Sequence, residues 1–195
     1  MSDDVEPWEP LTIDAVAEFF APLGVRWWIA GGHALELHVG TTWRTHADLD
    51  VGVCRREVDR LAPLQAHWSI SIAAAGQLSQ WNGEALDADL HQNNLWIRRP
   101  GGAWALDVLI GEGDDERWIY RRDPNLTLPW SEVVLHTPAG VPYLTPWLQL
   151  LFKSQSDRPK DDHDAAVVIP ALRDVDRARL FAWLPADHRW LMVGR

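Results

Sequence analysis

The chain has 195 residues, 47% of them hydrophobic, and a formal net charge of −10. That length suits one domain, or one domain with a small helical appendage, and the apolar content is enough for a real core. The acidity argues against a nucleic-acid binder, which needs clustered Lys and Arg, and the single cysteine, Cys54, excludes a disulfide framework or a thiolate zinc site.

Residues 1–10 are acidic and interrupted by proline, the composition of a loose arm. The acidic start is unlike the charged region of a signal peptide, and no apolar run reaches the length of a membrane span, so a soluble cytoplasmic protein is expected. Residues 12–23 have helical spacing, with Ile13, Val16, Phe19, Phe20 and Leu23 on one face and Gly24 as the stop. A short apolar strand follows over 25–30. Gly31-Gly32 turns the chain into a helix over 33–39 that Gly40 ends. The next strand is expected over 48–54, an amphipathic helix over 55–67 and a strand over 68–74. Residues 76–93 are polar and ambiguous. Strands over 95–99 and 103–111 across Pro100-Gly101-Gly102 read as a hairpin. Residues 112–116 form an acidic loop, and a strand is expected over 118–122. From Thr145 the texture becomes helical, with helices over 147–155, 161–172 and 175–184, and Pro159 acceptable only in a first turn. The order is mixed α/β first and all-α last. Most of the thirteen tryptophans are expected in the core, with some left to floor a ligand pocket.

Two features carry chemistry. Gly31 and Gly32 close an apolar run and open a helix, where bare N–H groups can hold phosphate. Asp48 and Asp50 stand two apart at the start of another apolar run, so on a strand they project from the same face. Adjacent carboxylates repel, and burying them unpaired is costly unless a divalent cation joins them. Asp107 interrupts an otherwise apolar strand. If the two strands are neighbours, Asp48, Asp50 and Asp107 converge on a hard-oxygen cage suited to Mg²⁺, and Asp107 can also serve as general base. Asp87 and Asp89 are alternatives for the third acid but lie in a polar stretch. His33 is read as a cap or surface residue, and His46 as structural or as a support for a carboxylate. Glu36 is read either as facing a basic acceptor or as facing water. Lys153 is read as solvated.

Gly31-Gly32-His33-Ala34-Leu35-Glu36, Gly40 and Arg44-x-His46-x-Asp48-x-Asp50 together resemble the signature of the nucleotidyltransferase superfamily with the DNA polymerase β-type fold. The pattern is most similar to its aminoglycoside 2″-adenylyltransferase and lincosamide nucleotidyltransferase group. Pro142-Tyr143-Leu144-x-Pro146, Leu151-Phe152-Lys153 and Arg158-Pro159-Lys160-Asp161-x-x-Asp164 extend the likeness over most of 25–172. The resemblance implies an α/β (α+β) fold, a mixed nucleotidyltransferase sheet flanked by helices, over residues 11–140. A helical C-terminal part, 141–195, would pack on it. It implies metal binding by Asp48, Asp50 and Asp107, nucleotide phosphates at Gly31 and Gly32, and triphosphate charge met by Arg44 and Lys160. The implied reaction moves a nucleoside monophosphate, AMP from ATP first among them, to a hydroxyl of a small molecule such as an aminoglycoside-like or lincosamide-like antibiotic. A protein acceptor, as in toxin–antitoxin members, and a non-catalytic nucleotide-binding relative are the alternatives. Many superfamily members place Ser after the first glycine; here Gly32 leaves phosphate contacts to the backbone.

Overall fold

Ten short strands form one mixed sheet, and the helices cover it. The computed structural model describes residues 7–193. Thr12 caps α1 (Ile13–Phe20) by accepting a hydrogen bond from Ala15 N at 3.2 Å, and Val16 and Phe20 are its buried face. A 3₁₀ turn over Ala21–Leu23 ends at Gly24 in the left-handed conformation. The strand β1 (Trp27–Ile29) feeds α2 (Gly31–Val39), which Gly40 stops with its N–H on Glu36 O. Then come β2 (Asp50–Cys54), β3 (Ser69–Ala74), β4 (Gln77–Gln80), β5 (Asn94–Arg98), β6 (Trp104–Gly113), β7 (Arg117–Ile119) and β8 (Thr127–Pro129). The short α3 (Trp130–Val133), β9 (Val134–His136) and β10 (Pro142–Leu144) lead to α4 (Pro146–Lys153), α5 (Pro159–Val168) and α6 (Asp174–Trp183).

The sheet order is β4-β3-β5-β6-β2-β1-β10-β9, with β7 and β8 continuing from β6 off this path. The expected hairpin of β5 and β6 forms, and β6 then lies parallel to β2. That parallel pair brings two apolar strands 50 residues apart in sequence side by side, each with an aspartate near its start. The strand β10 pairs parallel to β1, and α4 packs against α2, α5 and α6. One buried apolar cluster runs from Val16 to Trp190. No helix among the described residues is long and apolar enough to cross a membrane.

Four local expectations differ from the structure. The segment after β2, Arg55–Ala66, is a 3₁₀ helix and not an α-helix. Pro63 lacks the N–H an α-helical ladder needs, and the buried pair Val58 and Leu61 follows the three-residue period. The strand expected from Asp48 begins at Asp50, and Asp48 sits in the bend before it. The arm is not loose where it is described: Trp104 N donates to Pro7 O at 3.0 Å and Glu9 N to Trp104 O at 2.8 Å, while Trp8 packs edge-on against Trp96. Residues 1–6 of that arm lie outside the described residues. Finally, residues 142–144, expected in the helical part, are a strand inside the sheet.

Candidate active site

The sheet delivers three carboxylates to one cavity of about 330 Å³. Asp50 and Asp107 are direct register partners across β2 and β6, and the Asp107 N–H donates to Leu49 O at 3.1 Å. Asp48 reaches the same cavity from the bend. The Asp107 carboxylate is fixed by Asn94, whose Nδ2 donates to Oδ1 at 2.9 Å. Among the described residues none of the three acids has a basic partner at ion-pair distance, so their charge is not neutralised by the chain. Burial pushes Asp50 up to about 7, with repulsion from Asp107 and then Asp48 adding to it, and Lys153 and Lys160 pulling weakly the other way. Burial likewise pushes Asp107 up to about 6, against hydrogen bonds from Asn94 and Trp96 and with repulsion from Asp48. An all-oxygen, anionic, unpaired donor set of this kind fits a hard divalent cation such as Mg²⁺.

Gly31 is required by this arrangement. Its φ is +64°, and a Cβ there would lie 1.9 Å from Asp50 Oδ2. Its N–H, expected to be bare for phosphate, donates instead to the buried Gln149 Oε1 at 2.8 Å. The glycine therefore gives Asp50 room and ties α4 to the sheet. A Cβ on Gly32 would collide with the His46 ring and the Arg44 guanidinium, which lie across the start of α2.

Arg44 borders the cavity but its charge is already matched. Its Nε and second terminal nitrogen donate to Asp164 Oδ1 and Oδ2 at 2.8 and 3.0 Å. Burial would raise the Asp164 pKa, yet Arg44, Trp43 and Lys153 outweigh it and bring it down to about 2. Lys153 is buried: its Nζ lies 2.7 Å from Asp161 Oδ1 and 3.0 Å from Asp164 Oδ2. Arg158 closes the network on Asp161. Lys160 is exposed at the cavity rim and has no ion pair among the described residues. Asp87 and Asp89 are exposed, away from the cavity, and the Asp87 side chain accepts the Asp89 N–H.

Three further contributors escaped the sequence. Asn94 lies in a stretch with no clear pattern. Gln149 is a lone amide in an apolar helix, a signal that was there to be used. Lys153 looked solvated because its partners are 8 and 11 residues away, across the Pro159 break. The far wall of the cavity is apolar and aromatic, with Trp28, Leu109, Trp118, Ile119 and Phe152, and Arg121 and Arg122 beside it. Trp28 can lie flat there because a Cβ at Gly52 or Gly111 would collide with its ring. Glu112 is the one other carboxylate among the described lining residues, and Arg55 holds it at 2.7 Å.

The family model for aminoglycoside-2″-adenylyltransferases matches residues 12–74, the stretch that carries Gly31, Gly32, Asp48 and Asp50. The solution structure of the antibiotic-resistance factor ANT(2″)-Ia is similar with a TM-score of 0.53 and 16% identity, covering 87% of this chain and 85% of that one. A crystal structure of ANT(2″)-Ia with adenylyl-2″-tobramycin gives 0.50 and 16%, over 87% and 93%. The lincomycin-bound lincosamide antibiotic adenylyltransferase LnuA gives 0.54 and 16%, over 90% and 100%. A search of curated proteins finds no match. The fold is the mixed nucleotidyltransferase sheet with flanking helices that these structures share, and residues 12–74 resemble the aminoglycoside-2″-adenylyltransferase family.

Proposed function

We propose that this chain is a magnesium-dependent nucleotidyltransferase that moves AMP from ATP to a hydroxyl of a small antibiotic-like acceptor. The observation behind this reading is the pairing of Asp50 with Asp107 across neighbouring strands, with Asp48 facing the same cavity. Asp48, Asp50 and Asp107 would hold Mg²⁺, which would supply positive charge to offset that of the triphosphate and the departing pyrophosphate. Gly32 and the exposed Lys160 take the triphosphate, and Arg44 acts through Asp164 by holding the segment before Asp48. Asp107, oriented by Asn94, takes the proton of the acceptor hydroxyl. The acceptor oxygen forms its bond to the α-phosphorus. The bond from that phosphorus to the β-bridging oxygen breaks, and pyrophosphate leaves with the electron pair. The reaction is placed in the cytoplasm, where ATP is abundant.

The cavity walls favour one class of acceptor. A polycationic aminoglycoside needs free carboxylates for its ammonium groups. Outside the triad the described lining offers only Glu112, which Arg55 already holds, while Trp28, Trp118 and Phe152 present apolar faces. A lincosamide-like acceptor, with hydroxyls on a sugar and one extended apolar side, fits better, and the size suits a small molecule over a folded protein.

Pyrophosphate release with ATP and Mg²⁺ tests the reading against lincosamide, aminoglycoside and blank acceptors. Release stimulated by the lincosamide supports it. Release with aminoglycosides alone overturns the choice of acceptor. Label from ATP appearing on a protein in lysate moves the acceptor to a protein. Absence of turnover together with tight ATP binding that ignores Mg²⁺ makes the chain a nucleotide-binding relic.

A further inference from the structure

We propose that His33, Glu36 and His46 form a second cation site, for a borderline-soft divalent ion of the Zn²⁺ type, apart from the aspartate triad. His33 and Glu36 are three positions apart on α2 and share a face, and His46 lies in the segment that crosses back over that helix. One potential ligand atom from each lies within 4.8 Å of the others. His46 Nε2 is buried and lies 3.0 Å from Glu36 Oε1, at ion-pair distance but outside good hydrogen-bond geometry. Glu36 is 7% exposed, and the Trp43 N–H is the backbone donor on it. A buried carboxylate facing a buried imidazole nitrogen, with a second imidazole alongside, is the donor pattern of a metal centre.

The surroundings agree. Arg44 is the nearby cation, and Asp164 grips it on both oxygens, so it meets the Glu36 charge only through space and not by an ion pair. An open depression lined by Leu11, Thr12, Asp14, His33, Glu36 and His46 reaches the three residues from the side of α1, with room for a water as fourth ligand. The absence of a Cβ at Gly32 is what lets the His46 ring lie this close to α2. Ligand chemistry separates the two sites: two imidazoles and a carboxylate select Zn²⁺, and three carboxylates select Mg²⁺. An ion here clamps α2 to the segment that presents Asp48.

The competing explanation is plain packing, since the His33 and His46 rings also lie against each other, centroids 4.0 Å apart and tilted by 31°. The metal-free full chain is titrated with Co²⁺ in excess Mg²⁺, which fills the oxygen site. One equivalent of Co²⁺ is expected, with the visible bands of a low-coordinate nitrogen-ligated ion, displaced by Zn²⁺. His33→Ala and His33→Phe both weaken binding by about tenfold or more and remove the bands, although His33→Phe keeps an aromatic ring packed against His46. Asp107→Asn leaves the bands in place. Absence of the bands, retention in His33→Phe, or loss in Asp107→Asn each overturns the proposal. The readout is spectroscopic, so it stands or falls separately from the nucleotidyl transfer.

Discussion

Two acid clusters stand within this molecule, and the chain treats them in opposite ways. Asp161 and Asp164 on α5 are fully buried but surrounded by Lys153, Arg44 and Arg158, and both are held below their ordinary pKa. Asp50 and Asp107, on adjacent strands with Asp48 nearby, have no such partners and are pushed up. Composition is the same and compensation is not. The paired cluster joins the helices to the segment before β2. The unpaired cluster holds uncompensated negative charge at the cavity, which destabilises the metal-free fold and suits the cation proposed for it.

Neutralising one member of each cluster separates the two roles. Asp50→Asn should lower turnover by about three orders of magnitude or more, measured as pyrophosphate release. The same change should raise the metal-free thermal midpoint, because it removes a buried repulsion. Asp164→Asn should do the reverse to the fold. It leaves Arg44 without its counter-charge and Lys153 with Asp161 alone, and costs about 3–5 kcal/mol, read from urea unfolding.

The clusters also differ in their response to pH. Asp50 and Asp107 bind protons more tightly folded than unfolded, so their contribution to metal-free stability falls as pH rises from about 4 to about 7. The loss should amount to several kcal/mol and be recovered by millimolar Mg²⁺ at pH 8. Asp164 works the other way: its stabilisation is present above the ordinary carboxylate value and is lost only as pH falls towards 2. Thermal melts across pH, with and without Mg²⁺, resolve both limbs; a flat upper limb would contradict the unpaired triad. The smallest effect belongs to the rim. Lys160→Ala should raise the KM for ATP by about tenfold, or about 1.4 kcal/mol, and leave the melting temperature unchanged, since the side chain is exposed.

What the sequence disclosed follows from the range of the forces involved. Gly24 and Gly40 stop helices through their own backbone, so the ends of α1 and α2 could be read locally. The period-two pattern around Asp107 disclosed β6 and the odd residue on it. Convergence of Asp50 with Asp107 needed only the assumption that the strands were neighbours. The roles of Arg44 and Gly31 were hidden for the opposite reason. Their partners, Asp164 and Gln149, lie 120 and 118 residues away, and nothing in either local pattern announces them. Lys153 looked like an ordinary surface lysine until α5 folded back over it. The 3₁₀ character of 55–66 was legible in Pro63 and in the spacing of Val58 and Leu61, but a three-residue spacing also fits an α-helix.

The hydrogen bond from Gly31 to Gln149 has a bearing on redesign. It makes the last quarter of the chain a structural part of the glycine turn, and β10 is a strand of the same sheet. Grafting a foreign C-terminal segment at residue 140 to alter acceptor choice would remove the amide that seats Gly31 and the carboxylate that seats Arg44. A working chimera must carry Gln149, Lys153 and Asp164 across the splice, or draw both halves from one parent.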